Sequence, residues 1–110
     1  MDWVKEIPFA VTVCDTDGII TSMNDKACET FSEFGGETLL GTSLYDCHSP
    51  RSSQMIKDMM ASGSNNAYTI EKKGVKKMII QQPWFKDGEV AGIVEISIVL
   101  PTEMSHYVRS

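Results

Sequence analysis

From Ala67 to Leu100 the chain alternates strand-length runs with short turn signals. Ala67–Lys72 gives way at Lys73-Gly74 to Val75–Phe85, and Lys86-Asp87-Gly88-Glu89 then leads into Val90–Leu100. Runs rich in β-branched residues and divided by glycine-bearing turns read as consecutive antiparallel strands. A three-stranded meander therefore takes up nearly a third of the molecule. In a chain of 110 residues, the remainder has to serve mainly to cover it, because two separate cores would each be too small to stand alone.

The residues ahead of the meander supply two more strands and two helices. Phe9-Ala10-Val11-Thr12-Val13-Cys14 is apolar and β-branched, Asp15-Thr16-Asp17-Gly18 has turn chemistry, and Ile19-Ile20-Thr21-Ser22-Met23 is again extended, which predicts a hairpin. Asn24 is placed to cap a helix whose apolar residues Ala27, Cys28, Phe31 and Phe34 recur at helical spacing, closed by Gly35-Gly36. Short helical turns broken at Gly41 are expected over Thr38 to Cys47. Ser49 and Pro50 then offer an N-cap and a first-turn proline for a second helix carrying Met55, Ile56, Met59 and Met60 on one stripe. Flexible, polarizable methionines pack a core well and can also repack around a guest.

Composition excludes several classes of function. Apolar residues make up 42% and charged residues 23%, and no apolar stretch approaches the roughly 20 residues of a membrane-spanning helix. The opening Met1-Asp2-Trp3-Val4-Lys5-Glu6 lacks the basic and apolar regions of a signal peptide, so the expectation is a cytoplasmic protein. A net charge of −5 with scattered lysines argues against nucleic acid as a partner. Cys14, Cys28 and Cys47 are odd in number and without a C-x-x-C pair, which fits reduced thiols and neither a disulfide framework nor a metal site. No nucleophile with an adjacent base and no phosphate-cradling loop is present, so the chain reads as a non-enzyme.

Four segments resemble a known family. Ile7-Pro8-Phe9-Ala10-Val11 with Asp15-Thr16-Asp17-Gly18-Ile19-Ile20, Asn24 with Ala27, Leu39-Leu40-Gly41-Thr42-Ser43-Leu44-Tyr45-Asp46, and Pro83-Trp84-Phe85-Lys86-Asp87-Gly88-Glu89-Val90-Ala91-Gly92-Ile93-Val94-Glu95-Ile96-Ser97 stand in the order and spacing of a PAS domain. The resemblance runs from about residue 7 to 100, leaving an N-terminal cap segment at 1–6 and a tail at 101–110 of one domain spanning 1–110. It implies an α+β fold: a five-stranded antiparallel sheet in order 2-1-5-4-3, helices packed on one face, and a cavity between them. Two departures qualify what the family implies. Ile98-Val99-Leu100-Pro101 stands where domains wired to a C-terminal effector carry an Asp-Ile-Thr coupler, and Leu44 stands where flavin-binding photosensors carry their reactive cysteine, which argues against flavin.

Strand faces depend on the resemblance. Periodicity alone would bury Val94, Ile96 and Ile98 in the core. Aligned on Pro83 and Gly88, the family pattern instead turns Thr12, Cys14, Ile79, Gln81, Ile93, Glu95 and Ser97 toward the helices, and Phe9, Val11, Val13, Met78, Ile80, Val94, Ile96 and Ile98 outward. Such an outward face needs a cover, and a homodimer supplies one. Trp3, Val4 and Ile7, read as a short helix lying across that face or its mate's, complete the candidate interface with Phe9, Val11, Met78, Ile80, Val94, Ile96 and Ile98.

The functional expectation is a sensory, signal-transducing module that binds a small molecule between the long helix and the sheet, mediates dimerisation, or does both. Candidate ligand contacts are Thr12, Phe31, His48, Met55, Met59, Tyr68, Ile79, Gln81, Glu95 and Ser97, and the partner of the inward polar groups Gln81, Glu95 and Ser97 is open between water, backbone, Tyr68 and a polar small molecule such as a carboxylic or nitrogenous metabolite. Two alternatives accompany it. One is a haem sensor ligated through His48, with His106 a weaker candidate; the other is a pure interaction module whose cavity is filled by its own side chains. A separate signalling protein completes the expected partners.

Overall fold

The computed structural model describes residues 1–110. Its strands are β1 (Ala10–Asp15), β2 (Ile20–Met23), β3 (Asn66–Lys72), β4 (Val75–Lys86) and β5 (Glu89–Val99), and its helices are α1 (Asp25–Thr30) and α2 (Pro50–Ser62). Three 3-10 turns, Ser32–Phe34, Gly36–Leu39 and Leu44–Cys47, connect the helices. All strands pair antiparallel into one sheet in the order β2-β1-β5-β4-β3.

The turns form for reasons visible in the residues. Lys73 with Gly74 and Asp87 with Gly88 all have positive φ, the geometry a two-residue hairpin turn requires at both central positions. In the first hairpin the Asp15 carboxylate accepts from the backbone N–H groups of Asp17 and Ile19 at 2.9 and 3.0 Å. Ser49 caps α2 through Ser52, Pro50 opens its first turn, and Gly63 ends it in the left-handed conformation. The first helix is shorter than its apolar spacing predicts. It stops at Thr30, because positive φ at both Gly35 and Gly36 folds the chain back, so that Gly36 N–H donates to the Phe31 carbonyl.

Asn24 holds the N-terminal half together. Its Oδ1 accepts from Ala27 N–H and from Val11 N–H, both at 2.9 Å, while its Nδ2 donates to the carbonyls of Phe9 at 2.7 Å and Val4 at 3.0 Å. The N-terminal segment is thereby tied to the start of α1, where Asp25 N–H also donates to the Lys5 carbonyl. This corrects the expected helix over Trp3, Val4 and Ile7: the segment is non-helical, and Trp3 is 68% exposed. Its backbone groups find partners around Asn24, so no helical turn is needed to satisfy them.

Sheet register settles the faces. Val11 pairs with Ile96 and Ile96 with Ile80; Val13 pairs with Val94, and Met78 with Ile98. Directly opposed residues share a face, so these side chains form one apolar surface, and the helices pack on the other side through Cys14, Ile56, Met59 and Ile93. The free edge of β2 is covered by residues 41–44, with Ile20 N–H donating to Thr42 and Gly41 N–H to Ile20. The opposite edge, β3, is exposed from Ala67 onward.

Candidate functional site

On the helix-facing side, the register lays down three rows across the sheet. Cys14, Ile93 and Pro83 form an apolar row, and Ala10, Ser97, Ile79 and Tyr68 form another. Between them runs a polar row, Thr12, Glu95, Gln81 and Asn66, one residue from each of four adjacent strands. Neighbours in this row bond to each other. Asn66 Nδ2 donates to Gln81 Oε1 at 3.3 Å, and Gln81 Nε2 donates to Glu95 Oε2 at 3.0 Å. A polar row bounded by two mainly apolar rows, facing into the domain, is an unusual use of interior surface, because each such group needs a partner.

Above the row lies a chamber of about 300 Å³. Its floor is Thr12, Cys14, Ile93, Glu95 and Gln81; Ile20 and Met23 close it on the hairpin side. Phe31, Phe34, Leu39, Leu44 and Cys47 from the connecting turns, with Ile56 of α2, form the apolar roof. A second, more open hollow is bordered by Ser52, Met55, Asn66 and Tyr68 and shares His48, Ile56, Gln81 and Glu95 with the first. Those four side chains thus stand between the inner chamber and an outer vestibule. The outer hollow opens between α2 and the β3 edge.

His48 follows the 3-10 turn at Leu44–Cys47, and its Nδ1 lies 2.6 Å from the Leu44 carbonyl oxygen. A carbonyl can only accept, so in the neutral ring the proton sits on Nδ1 and Nε2 is left as an acceptor. Burial pushes the Cys14 thiol above its ordinary value, which keeps it protonated and inert at neutral pH. Burial raises the Tyr68 hydroxyl as well, and the charge of Glu95 adds to it. Tyr45 stacks on Gly18, where a Cβ would come within 2.4 Å of the ring, and Lys57 of α2 lies 4.9 Å above the same ring. These contacts fix the turn that carries Leu44 and His48.

The predicted contacts divide into three groups. Thr12, Phe31, His48, Gln81 and Glu95 line the inner chamber, and Met55 and Tyr68 border the vestibule. Met59 and Ile79 are instead packed away at 6% exposure each, and Ser97 faces the same side but borders neither hollow. The methionine stripe is split by the turn of α2: Met59 meets the sheet while Met55 is 48% exposed. Sequence reasoning overlooked Leu39, Leu44 and Ile56 in the roof and Asn66 at the end of the polar row. The helical stripe already contained Ile56; Asn66, one residue ahead of the strand expected from Ala67, carried no such signal.

The family profile described as the PAS fold matches residues 4–62. The chain belongs to the PAS family. Solved structures, PAS domains among them, share the fold over half or more of their length. The PAS domain of the histidine kinase ThkA is 21% identical, with a TM-score of 0.65 over 82% of this chain and 97% of that one. The Aer2 receptor from Vibrio cholerae, a dual PAS-heme oxygen sensor, is 12% identical, with a TM-score of 0.62 over 84% and 95%. VqmA bound to DPO is 15% identical, with a TM-score of 0.69 over 89% of this chain and 54% of that one. A sequence search of the curated proteins finds no match. The PAS assignment makes this chain a sensory domain of the kind found in signalling proteins, and no helix in it is long and apolar enough to cross a membrane.

Proposed function

We propose that this PAS domain senses a small molecule held in the chamber above the Thr12–Glu95–Gln81–Asn66 row, and that it works as a homodimer through the outer sheet face. The polar row carries the reading. Half-buried polar groups beside an apolar hollow are what a small-molecule site uses to orient its ligand, with the apolar walls supplying most of the binding energy. A cavity filled by its own side chains would have had apolar residues at Gln81 and Glu95, where an amide and a carboxylate stand. The related fold of VqmA has a structure bound to DPO, which supports a bound guest in this architecture.

Size favours a small guest over haem. The inner chamber, about 300 Å³, is at the lower end of the range for ligand pockets and taken by itself is smaller than a porphyrin. His48 presents an acceptor nitrogen, but its loop would have to move to seat a macrocycle. Dimerisation is supported by the apolar outer face, whose residues Val11, Val13, Met78, Ile80, Val94, Ile96 and Ile98 are only half-buried in the single chain.

Native mass spectrometry of the purified protein tests the sensory reading. A retained small mass, together with a melting temperature that falls when it is stripped and recovers on readdition, is the expected result, since a ligand bound only by the folded state stabilises it. A protein that carries no added mass, and whose melting is unmoved by a broad set of fragment-sized compounds, is an interaction module instead.

A further inference from the structure

The chamber is lined by a carboxylate and by no lysine or arginine. Glu95 lies half-buried, and its carboxylate accepts one hydrogen bond, the amide N–H of Gln81 on Oε2. No lysine or arginine lines either hollow. The two ion pairs of the molecule, Lys5 with Asp25 and Lys26 with Glu29, lie on its surface and do not involve Glu95. A carboxylate removed from bulk water usually gains an opposite charge or several donors, because otherwise its desolvation is uncompensated. Glu95 has one amide donor, and its second oxygen meets no protein donor and is left to solvent at the hollows.

The neighbouring groups add acceptors. Gln81 is engaged at both ends, its oxygen by Asn66 and its nitrogen by Glu95, which holds the carboxylate in a fixed orientation. In its neutral form His48 offers Nε2 as a lone pair, its Nδ1 proton being given to the Leu44 carbonyl. The unfilled positions at the partition between chamber and vestibule are therefore a carboxylate oxygen and an imidazole nitrogen. Both call for a donor.

We infer that the ligand of this domain is a small apolar or aromatic molecule bearing a protonated or N–H-donating nitrogen, which pairs with the Glu95 carboxylate while its apolar body fills the chamber roofed by Leu39, Leu44 and Ile56. This rests on the sensory reading and narrows it. Anionic metabolites are disfavoured by the same charge, since a carboxylate ligand would be placed against Glu95 with no lysine or arginine to separate them. The chamber's volume of about 300 Å³, at the lower end of the range for ligand pockets, suits a small ligand.

Three probes of matched size and different charge decide the matter: benzylammonium, benzyl alcohol and benzoate, titrated into the stripped protein and followed by amide chemical shifts and by melting temperature. Benzylammonium is expected to bind about tenfold or more tighter than benzyl alcohol, as suits a charge-assisted hydrogen bond. It should shift the resonances of Gln81, Glu95 and His48, while benzoate leaves them in place. Glu95→Gln, which keeps the side chain's shape, should erase the difference between the ammonium and the alcohol. If the alcohol or benzoate binds these residues as tightly as the ammonium in the unaltered protein, the cation preference is wrong and the chamber still binds ligand. If none of the three moves those resonances at millimolar concentration, the inference falls, and the sensory reading is decided separately by the retained mass and the melting shift. The comparison among probes uses the unaltered protein, so it stands even where the Glu95→Gln substitution weakens the fold.

Discussion

Asn24 shows how much one side chain can do in a small domain. All four of its hydrogen-bonding positions are used, on backbone groups of Val4, Phe9, Val11 and Ala27, and it is 5% exposed. Replacing it with alanine removes a helix cap and leaves several buried backbone groups without partners. The expected loss is about 3 kcal/mol, built from about 1 kcal/mol for the cap and roughly 1–3 kcal/mol for each group left unsatisfied, partly relieved by water. Chemical denaturation measures it directly. Asn24→Asp is the sharper comparison: it keeps the two accepting bonds and sets an oxygen against the Phe9 carbonyl, so it should also destabilise, and an aspartate as stable as the parent would show that the cap alone matters. The sequence displayed the cap, because the helix begins at the next residue. It could not display the bonds to Val4 and Phe9, which depend on where a segment 15 to 20 residues away is laid down.

At the scale of the elements, β5 explains why periodicity misreads this sheet. Its inward residues include Glu95 and Ser97, while its outward ones are Val94, Ile96 and Ile98. Alternation normally marks the apolar side as the buried one. Here the inner side borders a chamber and the outer side is an apolar surface, so the usual rule assigns both faces wrongly, and only the resemblance to PAS domains recovers them. The turns and the α2 caps needed no such help, since their chemistry is local. Gly92 is the tightest point of the strand. The Trp84 indole N–H donates to the Cys14 carbonyl at 3.0 Å beside Gly92, where an added Cβ would come within 1.8 Å of that carbonyl oxygen and 2.7 Å of the indole nitrogen. The φ of +150° adds strain for any other residue. Gly92→Ala should therefore cost about 3 kcal/mol or more, seen as a lower urea midpoint, with Trp84 fluorescence shifted even in the folded state. An alanine variant with unchanged midpoint and emission would mean that β5 slides freely past β1, against the observed register.

The molecule as a whole separates its two proposed activities onto opposite sides of a single sheet. Ligand contacts rise from the polar row toward α2, and the dimer contacts lie on the reverse, where Val11, Ile80, Val94, Ile96 and Ile98 form a surface that soluble proteins rarely leave bare. Each strand alternates between the faces, so Glu95 is flanked by Val94 and Ile96, and a guest that moves the Glu95 backbone moves both interface neighbours with it. That gives a short mechanical route from chamber to interface with no helix between. Ile96→Lys separates the two sides. A lysine at the centre of a two-fold apolar interface meets its own copy or loses its hydration, so the dimer should weaken by about a hundredfold or more, read as a halved mass by light scattering at micromolar concentration. The same variant should still bind whatever the parent binds, because Ile96 touches neither hollow. Weakened binding in an otherwise folded monomer would show that the interface shapes the chamber across the sheet; a parent protein that is itself a monomer would remove the outer face from the account and leave ligand uptake as the sole activity to explain.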